Sequence, residues 1–144
     1  MIELTMDSAV FAHVCPEKFA SWVPMQRVDK NKFSTALLAN GEKVAVLGSR
    51  KVLLVLGSHL NRPLKVELQF LVLKIRRPII SLGMLVASGN VVHLEQEAAY
   101  VQFGLHRVPL RFHANFFYLR AEMEQQFKQG ALPSTALMPL ERVS

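Results

Sequence analysis

Short runs of β-branched and aliphatic residues, each closed by a turn-forming cluster, recur along the chain as far as Arg120, and this punctuation constrains it to a mainly β fold. Ile2, Leu4 and Met6 alternate with polar Glu3 and Thr5, the period-two pattern of a half-buried strand that ends at Asp7. Pro16 to Trp22 has proline at a possible first helical position and supports one short turn. From Phe33 to Lys51 two extended arms flank Ala39-Asn40-Gly41. Asn-Gly tolerates positive φ at both central positions, so a hairpin tip is expected at Asn40-Gly41. Val52 to Leu56 and Leu64 to Ile75 read as two core strands separated by a turn-like segment. In Ile79 to Gly89 a serine can cap a helix and the terminal glycine can end it, which places one short helix near Ser81 to Ser88. Asn90 to Leu94, Ala98 to Phe103, Arg107 to Phe112 and Asn115 to Arg120 have the spacing of an antiparallel meander, an additional C-terminal hairpin region.

A chain of 144 residues with 51% hydrophobic residues can bury one core, and residues 1–122 are expected to form that single β domain. Residues 123–144 lose the pattern and read as a tail, with a short helix up to Gly130 and then a Pro-containing linker. The longest apolar stretches, Val52 to Gly57 and Ile79 to Ala87, fall short of the roughly 20 residues that a membrane-spanning helix requires, so no membrane association is expected. Acidic Glu3 and Asp7 stand where a secretory signal would be basic and then apolar. One cysteine, Cys15, excludes an internal disulfide, and the expected location is intracellular, in the reducing cytoplasm. Between Val14 and Pro16, Cys15 reads as a small buried residue and not as a reactive thiol.

Several function classes drop out on spacing. His13, His59, His93, His106 and His113 form no metal-binding pattern, and no phosphate-cradling loop, dinucleotide fingerprint or nucleophile elbow is present, so neither a metal nor a cofactor is expected. The formal charge of +6 raises the question of a nucleic-acid partner. The basic residues are scattered, however, as Arg50-Lys51, Lys74, Arg76-Arg77, Arg107, Arg111 and Arg120. Without a sustained run or an RNA-binding aromatic motif they read as a solvated surface.

What remains is Asp7-Ser8-Ala9, where a strand gives way to a loop. An aspartate there is ordinarily a turn former, but here it is followed by a hairpin about thirty residues later and by Ile79-Ile80-Ser81-Leu82-Gly83 before a short helix. Four segments in this order resemble the retropepsin-like aspartic peptidases of retroviruses and retrotransposons, over roughly Ile2 to Met123. Leu4-Thr5-Met6-Asp7-Ser8-Ala9 resembles the family's apolar lead into Asp-Ser/Thr-Gly, and Leu38 to Val44 resembles its flap hairpin. Arg77 to Leu85 resembles its second apolar motif, and Gly89 to Leu94 the strand after it. The resemblance implies an acid-peptidase-like β barrel in which each chain brings one catalytic aspartate, here Asp7, to a homodimer. The paired carboxylates would share one proton, one acting as base toward water and the other as acid toward the peptide carbonyl. Ser8 would hydrogen-bond across the dimer, and Leu38, Ala39, Asn40 and Gly41 would cover an extended peptide, the substrate being the parent polyprotein.

Two departures bear on activity. Ala9 replaces the family's glycine, which puts a methyl group where backbone approaches substrate and where an alanine-averse dihedral is expected. Six residues precede Asp7, where the family usually carries further strand sequence used in dimerisation. The alternative is therefore a catalytically inactive β-barrel domain that binds peptides or proteins along its sheet edges.

Overall fold

A computed structural model of the chain describes residues 1–29, 35–37, 41–57, 63–123 and, for the backbone, 140–142. It contains strands β1 (Ile2–Asp7), β2 (Val14–Cys15), β3 (Thr35–Leu37), β4 (Lys43–Leu56), β5 (Leu64–Leu73) and β6 (Ile79–Ser81), then the helix α1 (Leu82–Ala87). Strands β7 (Val91–His93), β8 (Tyr100–Phe103), β9 (His106–His113), β10 (Phe116–Met123) and β11 (Leu140–Arg142) follow. The fold is all-β with one short helix among the described residues, none of whose helices is long and apolar enough to cross a membrane.

The centre is the antiparallel β4–β5 ladder, in register from Gly48↔Val72 to Leu56↔Leu64. Alternation decides which side chains go inward. Val52, Leu54 and Leu56 join Leu64, Val66, Leu68, Phe70 and Val72 in the main core, with Leu4, Met6, Ile80 and Leu119 from neighbouring strands. Leu71 and Leu73 point the other way into a second cluster with Ala12, Val14, Ala36 and Val46, so β5 is covered on both faces there. Around this ladder β5 pairs β2 in parallel, β2 pairs β6, β6 pairs β1 in parallel and β1 pairs β10. β10 then meets the far end of β4, from Ala121↔Leu56 to Met123↔Leu54, and the pairings return to where they began. β9, β8 and β7 continue outward from β10 as the expected meander.

Two segments differ from the sequence reading. The second hairpin arm and the run Val52 to Leu56 are one strand of 14 residues, continuous through Arg50-Lys51. A register shift between Val46 and Gly48 lets this strand bend without breaking. The chain end expected to be a linker returns as β11, parallel to β5 through Leu140↔Lys65 to Arg142↔Glu67. The helix expected up to Gly130 lies outside the described residues.

Glycine is required at position 48, because a Cβ there would lie 2.7 Å from the Gln26 carbonyl oxygen. That close approach lets Gln26 and Ser49 exchange backbone hydrogen bonds of 2.7 and 2.9 Å. Arg50 is buried immediately after it, its Nε donating to the Val23 carbonyl at 3.0 Å and its Nη1 to those of Glu17 and Phe19 at 2.6 and 3.0 Å. The short turn expected from Pro16 to Trp22 is thus held from below. On the outer face Arg111 makes two 2.8 Å bonds to the carboxylate of Glu3, and Arg120 stands 3.7 Å away. The hydrogen bond from Arg111 is the main reason the Glu3 carboxyl titrates below its usual range. Its contribution is present at neutral pH and fades on acidification, and solvent screening keeps it small.

Candidate functional site

β1 carries Asp7 to its C-terminal end, and the parallel pairing with β6 sets Thr5, Met6 and Asp7 opposite Ile79, Ile80 and Ser81. The two segments that the sequence resemblance joined, 74 residues apart, are therefore neighbours in the sheet. The turn after β1 is made by the aspartate itself: the Ala9 N–H donates to Asp7 Oδ1 at 2.7 Å, which orients the carboxylate. Asp7 is half-buried, while Ser8 and Ala9 are exposed.

Ser81 holds the next part of the loop. Its hydroxyl donates to the Val10 carbonyl at 2.8 Å and accepts the Met84 N–H at 3.1 Å, capping α1. Its backbone N–H donates to Nδ1 of His13 at 3.0 Å. Because Nδ1 accepts, a neutral ring carries its proton on Nε2. His13 is fully buried with its ring 5.8 Å from that of Phe70, so its position is fixed by packing as well. At the other end of α1, the Asn90 and Gly89 N–H groups return to the Leu85 and Val86 carbonyls at 3.0 Å, with Gly89 at φ 90°. Both helix ends are closed, which locks the motif after β6 in place.

The expectation that Ala9 is held in a dihedral alanine resists is not met. Among the described residues the positive-φ non-glycines are Ala20, Ala114 and Asn115. With the backbone unstrained, Ala9→Gly should cost about 0.4–1 kcal/mol of stability through unfolded-state entropy. Chemical denaturation checks this, and a glycine variant at least as stable as the parent would mean that the methyl group is strained by its neighbours.

The arms of the hairpin expected at Asn40-Gly41 are paired, Thr35, Ala36 and Leu37 with Ala45, Val44 and Lys43. Gly41 is exposed at φ 86° with no atom within 4 Å of a Cβ position. Leu38, Ala39 and Asn40 lie outside the described residues. A cavity of about 380 Å³ is lined by residues that include Phe11, Ala12, Gln26, Ser49, Gln69 and Met84. Asp7 does not line it, but the cavity begins on the loop that Asp7 starts.

Cys15 is buried and its thiol is pushed up to about 12 by desolvation, with the Arg50 charge opposing weakly, so it is not a nucleophile near neutral pH. Among the described residues no group of three or more His, Cys, Asp or Glu could hold a metal ion. Sequence reading missed the roles of His13 and of the Ser81 backbone. Ser81 carried a signal as a helix cap, whereas nothing in the local sequence marks His13. No family model, no curated protein and no solved structure matches this chain.

Proposed function

We propose that the chain is one half of a retropepsin-like aspartic endopeptidase that works as a homodimer on extended peptides, its own polyprotein being the expected substrate. The observation that carries this reading is the parallel β1–β6 pair, which puts Asp7 beside Ser81 and ties the loop of one motif to the other through Val10 and His13. Two such loops facing each other across a two-fold axis would hold two carboxylates that cannot both ionise cheaply and so retain one proton. The ionised group takes a proton from a water, the water oxygen attacks the peptide carbonyl, and the protonated group donates to the carbonyl oxygen. Collapse of the resulting tetrahedral species, with proton transfer to the leaving nitrogen, breaks the C–N bond; no covalent enzyme intermediate forms. The cavity beginning at Phe11 would accept a substrate side chain beyond the scissile bond.

Sedimentation combined with cleavage of an apolar extended peptide tests the reading. Self-association in the micromolar range is expected, with cleavage that rises with the dimer fraction and is favoured at mildly acidic pH. A folded species that stays monomeric at high micromolar concentration would remove Asp7 from any catalytic role. The second reading, an inactive peptide-binding domain of the same fold, is favoured by one observation: Ala9 is exposed directly after Asp7-Ser8, so its methyl group narrows the approach to the carboxylate. Saturable binding of the peptide without cleavage, in a protein that does dimerise, would select it.

A further inference from the structure

Some of the basic residues that look scattered along the sequence are brought together by the fold. β2 and β5 are parallel neighbours through Val14↔Leu71 and Cys15↔Val72, so the chain leaves both strands at the same end of the sheet. The two exits form a groove of about 490 Å³ whose walls include Pro16, Glu17 and Lys18 from one strand end and Lys74, Ile75 and Arg76 from the other. Arg77 follows directly. Lys18, Lys74, Arg76 and Arg77 are all exposed, and among the described residues none makes a side-chain hydrogen bond or ion pair. One carboxylate, that of Glu17, stands among them.

A fifth charge is tied to the groove wall through the Glu17 carbonyl. The guanidinium of Arg50 is buried against the Glu17 and Phe19 carbonyls, and among the described residues no carboxylate pairs with it. Partial charges of carbonyl oxygens satisfy its hydrogen bonds without cancelling its net charge. A cation in a poorly solvated position reaches further than one in water, so the positive potential in the groove exceeds that of its exposed side chains alone.

We infer that this groove binds the phosphodiester backbone of a nucleic acid. Its cations are long, unpinned side chains, which suit a linear polyanion better than a single phosphate. Among polyanions, a nucleic acid carries the densest line of charge and gains most from releasing condensed counterions. The groove lining contains no aromatic ring on which a base could stack, so binding is expected to be indifferent to sequence. This site is separate from Asp7 and does not depend on the peptidase reading.

Fluorescence anisotropy of the full chain with a labelled single-stranded oligonucleotide of mixed sequence, over a series of salt concentrations, tests the inference. The double variant Lys74→Glu/Arg76→Glu should weaken binding at least about tenfold near 0.1 M salt and flatten the log–log salt dependence by about 1.4, at roughly 0.7 for each phosphate no longer neutralised. Arg107→Glu/Arg120→Glu changes the net charge equally on the exposed faces of β9 and β10, and should weaken binding by less than threefold. Equal losses in the two variants would show attraction to the whole basic surface and overturn the groove. Displacement of the oligonucleotide by polyglutamate at the same charge concentration would overturn the nucleic-acid assignment. Circular dichroism of both variants separates loss of binding from loss of fold.

Discussion

Asp7→Asn is expected to lower peptide cleavage by at least about a thousandfold, within the range by which positioned acid–base groups accelerate proton transfer. The amide preserves the shape of the turn, because its oxygen can still accept the Ala9 N–H that Asp7 Oδ1 now accepts at 2.7 Å. What it cannot do is exchange a proton with a facing carboxylate. Folding and self-association should therefore survive, and initial rates near pH 5 alongside thermal unfolding would show the two properties separating. Mixing gives a sharper result. If each chain supplies half of the site, a tenfold excess of the asparagine variant should draw wild-type chains into inactive mixed dimers and suppress their activity. Undiminished wild-type turnover in that mixture, or equal turnover by the variant alone, would sink the half-site proposal.

Arg50→Ala should be the most destabilising single change outside the aliphatic core. Three carbonyls, those of Glu17, Phe19 and Val23, depend on one guanidinium, and hydrogen bonds to a charged group contribute about 1.5–3 kcal/mol each. Water entering the vacated space recovers part of this, leaving an expected loss of about 3–5 kcal/mol and a fall in Tm on the order of 10 °C. Arg50→Lys keeps the charge but not the fork that reaches both Val23 and the Glu17–Phe19 pair, so it should fall between wild type and alanine. Urea unfolding would order the three proteins. An alanine variant with the parental midpoint would mean that the turn from Glu17 to Val23 is held by something other than this side chain.

How much of this could be read from the sequence depends on the range of the interaction that decides each feature. β1, the β3–β4 hairpin arms, α1 and the meander are governed by local alternation, Asn-Gly and Ser/Gly capping, and their positions agree with the expectations from those signals. The unity of β4 was not legible, because Arg50-Lys51 looks like a solvated break between two apolar runs. Burial of Arg50 depends on carbonyls about 30 residues earlier in the chain. The bond from Ser81 to His13 spans 68 residues and has no local signature at all. Lys18 and Lys74 meet only because β2 and β5 run side by side. In each case the missing information is the pairing of distant strands, which periodicity along one segment does not contain.

The return of the strand pairings upon themselves sets an order of events when the chain is made. β1 precedes both of its neighbours, residues 79–81 and 118–121, so one edge is satisfied only once β6 has emerged and the other only with β10. The hairpin of β4 and β5 needs nothing beyond itself and can form early, whereas Asp7 waits for Ser81 in β6 and the other edge of β1 waits for β10. Such long-range closure makes folding slow and leaves the first strand exposed to other partners in the meantime. A ribosome stalled before β10 would hold a formed hairpin and a first strand paired along one edge at most.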